Sequence, residues 1–385
     1  MVRQSNRYNS EPFGTPSRKR SDGSFIGAIL FIVLLALTMS LSVALFIAYL
    51  TPHVAPSTFG SLTIVGIFAP ILYISVAICM FIWAVMGRWK IAGCVALMLI
   101  PGLFRFSDFY NVELHREVEF KPSRNSFSVM SYNVRGFRND NSMRSVDRYV
   151  EYFSEHDIAD VVCFQEYALD MPCVERVDSL FRARHSKLYH MDVVETGDVV
   201  LRTYSRYPII ASGAISGEGR GTSQWVDVVI KNDTLRIFNN HLYTMNISSE
   251  DSSDIEHGRI LQDGDRMRSI VERIATNSSV RADFVDTLCM VINESPYRRV
   301  VCGDFNDTPM SYVYGELIEN LVDAFEQCGK GYGYTFRPMY GTLRIDYILH
   351  SPELETENYM VDDAVELSDH LPIAARIKLP SKRTK

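Results

Sequence analysis

Val300-Val301-Cys302-Gly303-Asp304-Phe305-Asn306 decides the fold. It is a short apolar run of the kind that makes a buried strand, and it ends on a carboxylate and an amide rather than on ordinary turn residues. The same ending recurs along the chain, in Met130-Ser131-Tyr132-Asn133, Val161-Val162-Cys163-Phe164-Gln165-Glu166, Ile237-Phe238-Asn239-Asn240-His241, Arg344-Ile345-Asp346 and Ser368-Asp369-His370-Leu371-Pro372-Ile373. Polar groups at strand ends converge on one rim of a sheet, where folds of alternating strands and helices carry out their chemistry.

Around these endings the pattern alternates. Phe127 to Val134, Arg299 to Cys302, Leu343 to His350 and Pro372 to Leu379 read as strands. Gln224–Ile230 and Leu235–His241 read as a hairpin turning at Asn232-Asp233. Ser142–His156 is helical, with Met143, Val146, Tyr149, Val150 and Phe153 on one face; Val280–Ile292 is helical, with Val280, Phe284, Leu288 and Val291 aligned. Polar, acidic Tyr243–Gln262 reads as a long surface loop. Alternating elements of this kind make an α/β or α+β domain.

The chemistry of the endings is that of a phosphoester site. Glu166, Asp304 and Asp369 are hard oxygen ligands suited to Mg²⁺ or Mn²⁺. Asn133 and Asn306 coordinate a cation or donate to a phosphoryl oxygen, and His241 and His370 bind phosphate or move protons near neutral pH. A carboxylate such as Asp346 fixes the tautomer of a histidine. Together they would activate a water for in-line attack and neutralise the phosphoryl charge, with no Ser or Cys nucleophile. Each residue alone has a plainer reading: a turn former for Asn133, a surface acid for Glu166, a satisfied core histidine for His241, a tight turn for Gly303–Asn306, a helix cap for Ser368–His370. The case rests on the ordered set.

In that order and spacing the motifs resemble the endonuclease/exonuclease/phosphatase (DNase I-like) superfamily. Its members include DNase I, abasic-site endonucleases, neutral sphingomyelinases and inositol-phosphate 5-phosphatases. The resemblance covers about residues 125–380. It rests on Ser131-Tyr132-Asn133, Gln165-Glu166, Ser205-Arg206-Tyr207-Pro208-Ile209, Asn240-His241-Leu242, Gly303-Asp304-Phe305-Asn306, Arg344-Ile345-Asp346-Tyr347-Ile348-Leu349 and Ser368-Asp369-His370-Leu371-Pro372. It implies a four-layer α/β/β/α sandwich. It implies Glu166 as principal metal ligand with Asn133 and Asp369 nearby, Asp304 on the attacking water, and Asn306 and His241 at the phosphate. Asp346 would pair with His370, and His370 would contact the scissile group. The chain departs from the family in carrying Asn240 where many members have Thr. Tyr204 and Arg206 are the candidates for a phosphate contact in the middle of the fold.

The first third differs in kind. From Gly23 to Gly87 there is no Asp, Glu, Lys or Arg, and a membrane span needs about 20 apolar residues. Apolar runs occupy about 25–50, 59–86 and 91–106, between a basic tail at 1–22 and a linker at 108–124, so two to three transmembrane helices precede the domain at 125–380. With this third, the chain looks like bacterial membrane-anchored members of the superfamily. A signal peptide is the alternative for the first run, but that run is longer than the usual apolar core and a second follows. Arg3, Arg7, Arg18, Lys19 and Arg20 before the first run, and Arg88 and Lys90 after the second, place those segments in the cytoplasm. Three spans then put the catalytic domain outside, and two would leave it inside. The bilayer and a phosphoester substrate are the expected partners.

Charge divides likewise, +3 over residues 1–120 and −10 over 121–385. An acidic domain has no general attraction for long DNA, which disfavours a nonspecific nuclease over lipid-headgroup or small-molecule phosphoesters. The seven cysteines show no CxxC spacing, so neither a zinc site nor a full disulfide framework is expected. A second class of function is a non-catalytic binding module of the same fold; the filled site argues against it. A transporter is weaker still, because the apolar runs carry no ionisable residue at mid-depth.

Overall fold

The computed structural model of the chain describes residues 22–111, 125–138, 146–156, 159–167, 171–184, 190–196, 199–217 and 219–380. The five basic residues of the N-terminal tail, most of the linker, Met143 and Ile158 lie outside them.

The strands in chain order are β1 Tyr110–Asn111, β2 Ser126–Asn133, β3 Val161–Gln165, β4 His190–Thr196, β5 Val199–Ser205, β6 Ile209–Ser216, β7 Gly221–Ile230, β8 Asp233–Leu242, β9 Arg298–Asp304, β10 Val322–Asp323, β11 Gly331–Tyr332, β12 Asp346–His350, β13 Glu355–Val361 and β14 Ile373–Lys378. They form two six-stranded sheets, in the orders β13-β14-β2-β3-β5-β4 and β10-β12-β9-β8-β7-β6, and a short β1-β11 ladder. Alternation along each strand explains the layering. Phe127, Val129, Val300, Cys302 and Ile348 turn inward to a core shared by the two sheets. Met130, Tyr132 and Phe164 turn outward, to Tyr149 and Phe153 of the helix Val146–Glu155 and to Val177 and Phe181 of the helix Met171–Arg184. On the opposite face Phe238, Val301 and Leu349 meet Phe284, Val285 and Leu288 of the helix Gly264–Asn293. This is an α+β fold of two main sheets with helices on both outer faces.

Tyr243–Gln262 contains a helix, Ser249–Glu256, rather than only loop. The Ser248 hydroxyl accepts from Asp251 N at 3.0 Å, and Ser248 N donates to the Asp251 carboxylate at 3.2 Å; this capping box starts the helix. The helix at 280–292 is only the end of a 30-residue helix from Gly264.

The apolar third forms five helical pieces: α1 Asp22–Leu50, α2 Pro56–Phe59, α3 Leu62–Ile67, α4 Ala69–Val85 and α5 Trp89–Leu103. Among the described residues one helix, at Phe25–His53, is long and apolar enough to cross a membrane; α4 and α5 are apolar but shorter. The run at 59–86 is therefore not one helix. Pro70 has no amide hydrogen, and its ring would collide with the Gly66 carbonyl in a continuous helix, so the chain breaks at Phe68. α1, α4 and α5 pack around Leu45, Val76, Trp83, Val95 and Leu99. Their outward faces leave Phe25, Leu30, Ile32, Ile74, Phe81, Val85, Leu97 and Leu103 exposed.

The broken piece docks on the domain built from the two sheets. Ile64 and Ile67 pack on Ile260, Ile270 and Ile274. The Thr51 hydroxyl donates to Met310 O at 2.6 Å, and a Cβ on Gly66 would lie 2.2 Å from that same carbonyl, so only glycine permits the approach. Arg105 donates to Pro309 O at 3.2 Å, and the Asn111 amide to Phe325 O at 2.8 Å and Glu326 O at 2.7 Å.

A buried ion pair closes the far side of the second sheet. Arg344 Nη1 donates to Asp323 Oδ2 at 2.7 Å, with 2% and 0% of the two side chains exposed. The guanidinium lies over the rings of Phe325 and Tyr347. Asp323→Ala leaves that guanidinium buried and unpaired, which costs about 3–5 kcal/mol. Thermal unfolding of the full chain in detergent checks this: a large drop in Tm is expected, and an unchanged Tm contradicts it.

Candidate active site

Two parallel pairings assemble the site. β2 runs parallel to β3 with Asn133 opposite Gln165, so Asn133 and Glu166 emerge together. β8 runs parallel to β9 with His241 opposite Asp304. β12 starts antiparallel to β9 with Asp346 opposite Asp304, and His370 precedes β14, the neighbour of β2 on its other side. The strand ends of both sheets thus meet on one rim.

The side chains meet there at hydrogen-bond range. The Asn133 amide nitrogen donates to Glu166 Oε1 at 2.9 Å and to Asp304 Oδ2 at 3.0 Å. His241 Nε2 lies 3.3 Å from Glu166 Oε1 and 3.6 Å from Asp304 Oδ2. His370 Nδ1 is 2.9 Å from Asp346 Oδ2, which turns Nε2 toward Asp304 Oδ2 at 3.6 Å. Asn306 N donates to Asp304 Oδ1 at 2.8 Å, and the Asn306 side-chain amide donates to Leu242 O at 3.0 Å. Glu166 and Asn306 both take positive φ, 47° and 51°, strain of the kind stored at functional sites.

Burial and charge oppose each other throughout. Burial pushes the Glu166 carboxyl up, yet the hydrogen bond and charge of His241 and the Asn133 amide outweigh it and hold the group at about 2. Burial lifts Asp304 to about 6; Asp346 pushes the same way, and His370, His241 and Asn133 pull back. Burial presses both imidazoles down, but Glu166 and Asp304 raise His241 above its usual value, and Asp346 and Asp304 raise His370 well above it. The result is one ionised carboxylate, open at 41% side-chain exposure, beside a deeper, more basic one.

Among the described residues two groups of ligand atoms lie close enough to share an ion, Glu166–His241–Asp304 and Asp304–Asp346–His370. The donor set, carboxylates with an imidazole and an amide, fits a hard divalent cation. Asp369 belongs to neither group. Its carboxylate lies 3.4 Å from Arg135 Nε, and its Oδ1 accepts from Ser368 Oγ at 3.2 Å. The other seven candidates converge.

Some contributors carry no motif. Arg135, at φ 47°, partners Asp369, and its amide holds Asn133 Oδ1 at 3.0 Å. The Thr335 hydroxyl receives the amides of Ile345 and Asp346 at 3.0 and 3.1 Å, setting the start of β12. Arg281, fully buried, lies 3.1 Å from the Asp307 carboxylate and donates to Tyr243 O at 3.1 Å, tying the segment after Asn306 to the end of β8. Tyr204 stands away from this rim: its hydroxyl is shared with Tyr167 at 3.1 Å and bonds to Asp178. Arg206 pairs with Asp160 at 3.1 Å.

Residues 130–370 match the sequence profile of a family described as the Endonuclease/Exonuclease/phosphatase family. Among solved structures the chain is similar to an endonuclease/exonuclease/phosphatase from Beutenbergia cavernae DSM 12333 (16% identity over 67% of this chain and 72% of that one, TM-score 0.48). It is also similar to TDP2 from D. rerio solved with a single-strand DNA product (18%, 66% and 99%, 0.48). A third similar structure is the mannosyl-6-phosphatase Bt3783 from Bacteroides thetaiotaomicron VPI-5482 (17%, 66% and 99%, 0.44). No curated protein matches the sequence.

The register that aligns His241 with Asp304 depends on Gly303. Its φ is 138°, and a Cβ there would lie 2.0 Å from Asn240 O. Gly303→Ala is expected to lower stability by more than the roughly 1–3 kcal/mol of a strained residue alone, because backbone must also move. A Tm within 2 °C of the unaltered chain, about the smallest shift that one kcal/mol produces in a domain of this size, contradicts this.

Proposed function

The chain belongs to the endonuclease/exonuclease/phosphatase family, and from that premise we propose that it hydrolyses phosphoester bonds with a divalent metal, Mg²⁺ or Mn²⁺, while anchored in a membrane. One observation carries the chemical reading: seven strand-end polar groups from two sheets lie within hydrogen-bond or ion-pair reach of one another, around the depressed carboxylate of Glu166. A binding module has no need of this balance of one carboxylate held low, one held high and two imidazoles raised by neighbouring acids.

Glu166 is the principal metal ligand, with Asn133 beside it; Asp369 joins them only by releasing Arg135. When bound, the metal supplies Lewis acidity to the phosphoryl oxygens. Asp304 orients the attacking water and takes its proton, held at Oδ1 by the Asn306 amide. His241 contacts the phosphoryl group. Asp346 fixes the His370 ring through Nδ1, so that Nε2 faces the phosphate and stabilises charge on it as the ester bond breaks. Asn306 orients the phosphate from its strained position.

The anchor follows from the exposed apolar faces of α1, α4 and α5, which water would not tolerate as one patch. The C-terminal ends of α1 and α5 and the N-terminal end of α4 all meet the catalytic domain, whereas Arg88 and Lys90 lie at the opposite end. By the positive-inside rule the domain is extracytoplasmic.

Two measurements test these readings. Full-length protein in detergent is expected to hydrolyse bis-p-nitrophenyl phosphate with Mg²⁺, and His370→Ala or Asp304→Asn to lose at least about 10²-fold in rate with an unchanged circular-dichroism spectrum. Full activity in either variant refutes the assignment, and a folded, metal-binding but inert chain favours the binding module. A reporter fused after Lys385 is expected to read as extracytoplasmic, and a cysteine at position 87 to be labelled from the cytoplasm; the reverse pattern overturns the topology.

A further inference from the structure

Where the helical bundle meets the catalytic domain there is an apolar cavity of about 230 Å³. Its wall includes Tyr49 of α1, Pro70 and Tyr73 of α4, Phe106 after α5, and Met310 and Tyr332 of the catalytic domain. Arg105 carries the only charge on the wall, and it is already held by Asp108 at 3.0 Å. Wall residues Ile74, Phe106 and Tyr332 are 60%, 46% and 36% exposed, so the cavity is continuous with the outward faces of the bundle. Apolar cavities of roughly 150 Å³ already stay dry and take up small hydrocarbons. Aromatic residues around such an opening suit the boundary between lipid and water.

The cavity stands next to the chemistry. Met310 follows Asn306 by four residues, which bounds their separation at about 14 Å. A second apolar route reaches the site from the same module. Ile67 of α3 packs on the cluster of Met245, Leu343 and Ile345, which also holds Phe336, and the Phe336 ring centroid is 5.0 Å from that of His370. One side of the catalytic rim is thus backed by residues that continue into the apolar helices. A freely soluble phosphate ester would gain nothing from this arrangement. A lipid carrying its phosphate to the rim would bury hydrocarbon along it.

We propose that this cavity binds one hydrocarbon chain of a bilayer lipid whose own phosphoester is the substrate of the site. The proposal rests on the hydrolase and anchor readings above. In it, the chain enters past Ile74 between α4 and the Phe106 segment, and the phosphate reaches Asn306 and His370 without the lipid leaving the membrane.

The test uses the full chain in phosphatidylcholine nanodiscs. A phosphatidic acid with a diazirine at the end of one acyl chain is photolysed and the labelled peptides are mapped. In parallel, phosphate release is measured from dioleoyl- and dibutanoyl-phosphatidic acid. Label on the segments around Pro70–Ile74 and Met310 is expected, with dioleoyl substrate preferred. Ile74→Trp, an exposed position at the opening, is expected to reduce that label and to lower the dioleoyl-to-dibutanoyl ratio about tenfold, the effect of roughly two methylenes losing their burial. Label confined to other segments, or an unchanged ratio in Ile74→Trp, overturns the proposal. Hydrolysis of bis-p-nitrophenyl phosphate by the unaltered chain, read separately, distinguishes failure of the lipid site from failure of the hydrolase reading.

Discussion

The Asn133 amide holds the two carboxylates of the site together. It donates to Glu166 at the end of β3 and to Asp304 at the end of β9, two acids that belong to different sheets. Carboxylates this close repel, and burial adds a penalty of several kcal/mol per ion unless each is compensated. The compensation is visible: His241 faces both acids, and His370 faces Asp304 from the other side while Asp346 secures it from behind. The arrangement requires the two sheets to keep a fixed offset, because Asn133 bonds to an acid of each. The apolar core between them, and the parallel pairings β2-β3 and β8-β9, supply that stiffness.

The apolar helices of the first third pack beside the same rim. The segment after Asn306 is tied to Thr51 and to Arg105 through the carbonyls of Met310 and Pro309, with Gly66 closely packed on Met310, and Arg281 clamps Asp307 from the long helix on which α2 and α3 lie. The apolar helices therefore contact the segment after Asn306 directly.

Much of the site was legible because its residues interrupt local pattern: an apolar strand that ends on Asn133, Glu166, His241 or Asp304 is visible without any partner. The hydrogen-bonded groups beneath it were not legible. Gln165 donates to Asn239 at 2.7 Å and to Ser131 at 3.1 Å, and Thr203 to Gln224 at 2.6 Å, forming a buried polar layer between the sheets. Ser131, Gln165 and Asn239 stand inside the strand-end runs but carry no sign of this pairing, and Thr203 and Gln224 read alone as ordinary strand positions. Pro70 marks the break at Phe68 in the sequence, but where the freed piece docks is hidden. Residues 59–86 carry no charge, and what draws Ile64 and Ile67 off the bundle is Ile260, Ile270 and Ile274, some 200 residues away in sequence. Asp369 follows suit: its motif is plain, but its contact with Arg135 depends on the left-handed turn that β2 makes after Asn133.

The central claim is that these strand ends form one divalent-metal site centred on Glu166. Electron paramagnetic resonance of Mn²⁺ titrated into the full chain in detergent tests it most directly, with Glu166→Gln alongside. The account predicts that Mn²⁺ bound stoichiometrically by the unaltered chain is released in the variant while the fold is retained. Equal binding by both proteins would contradict it.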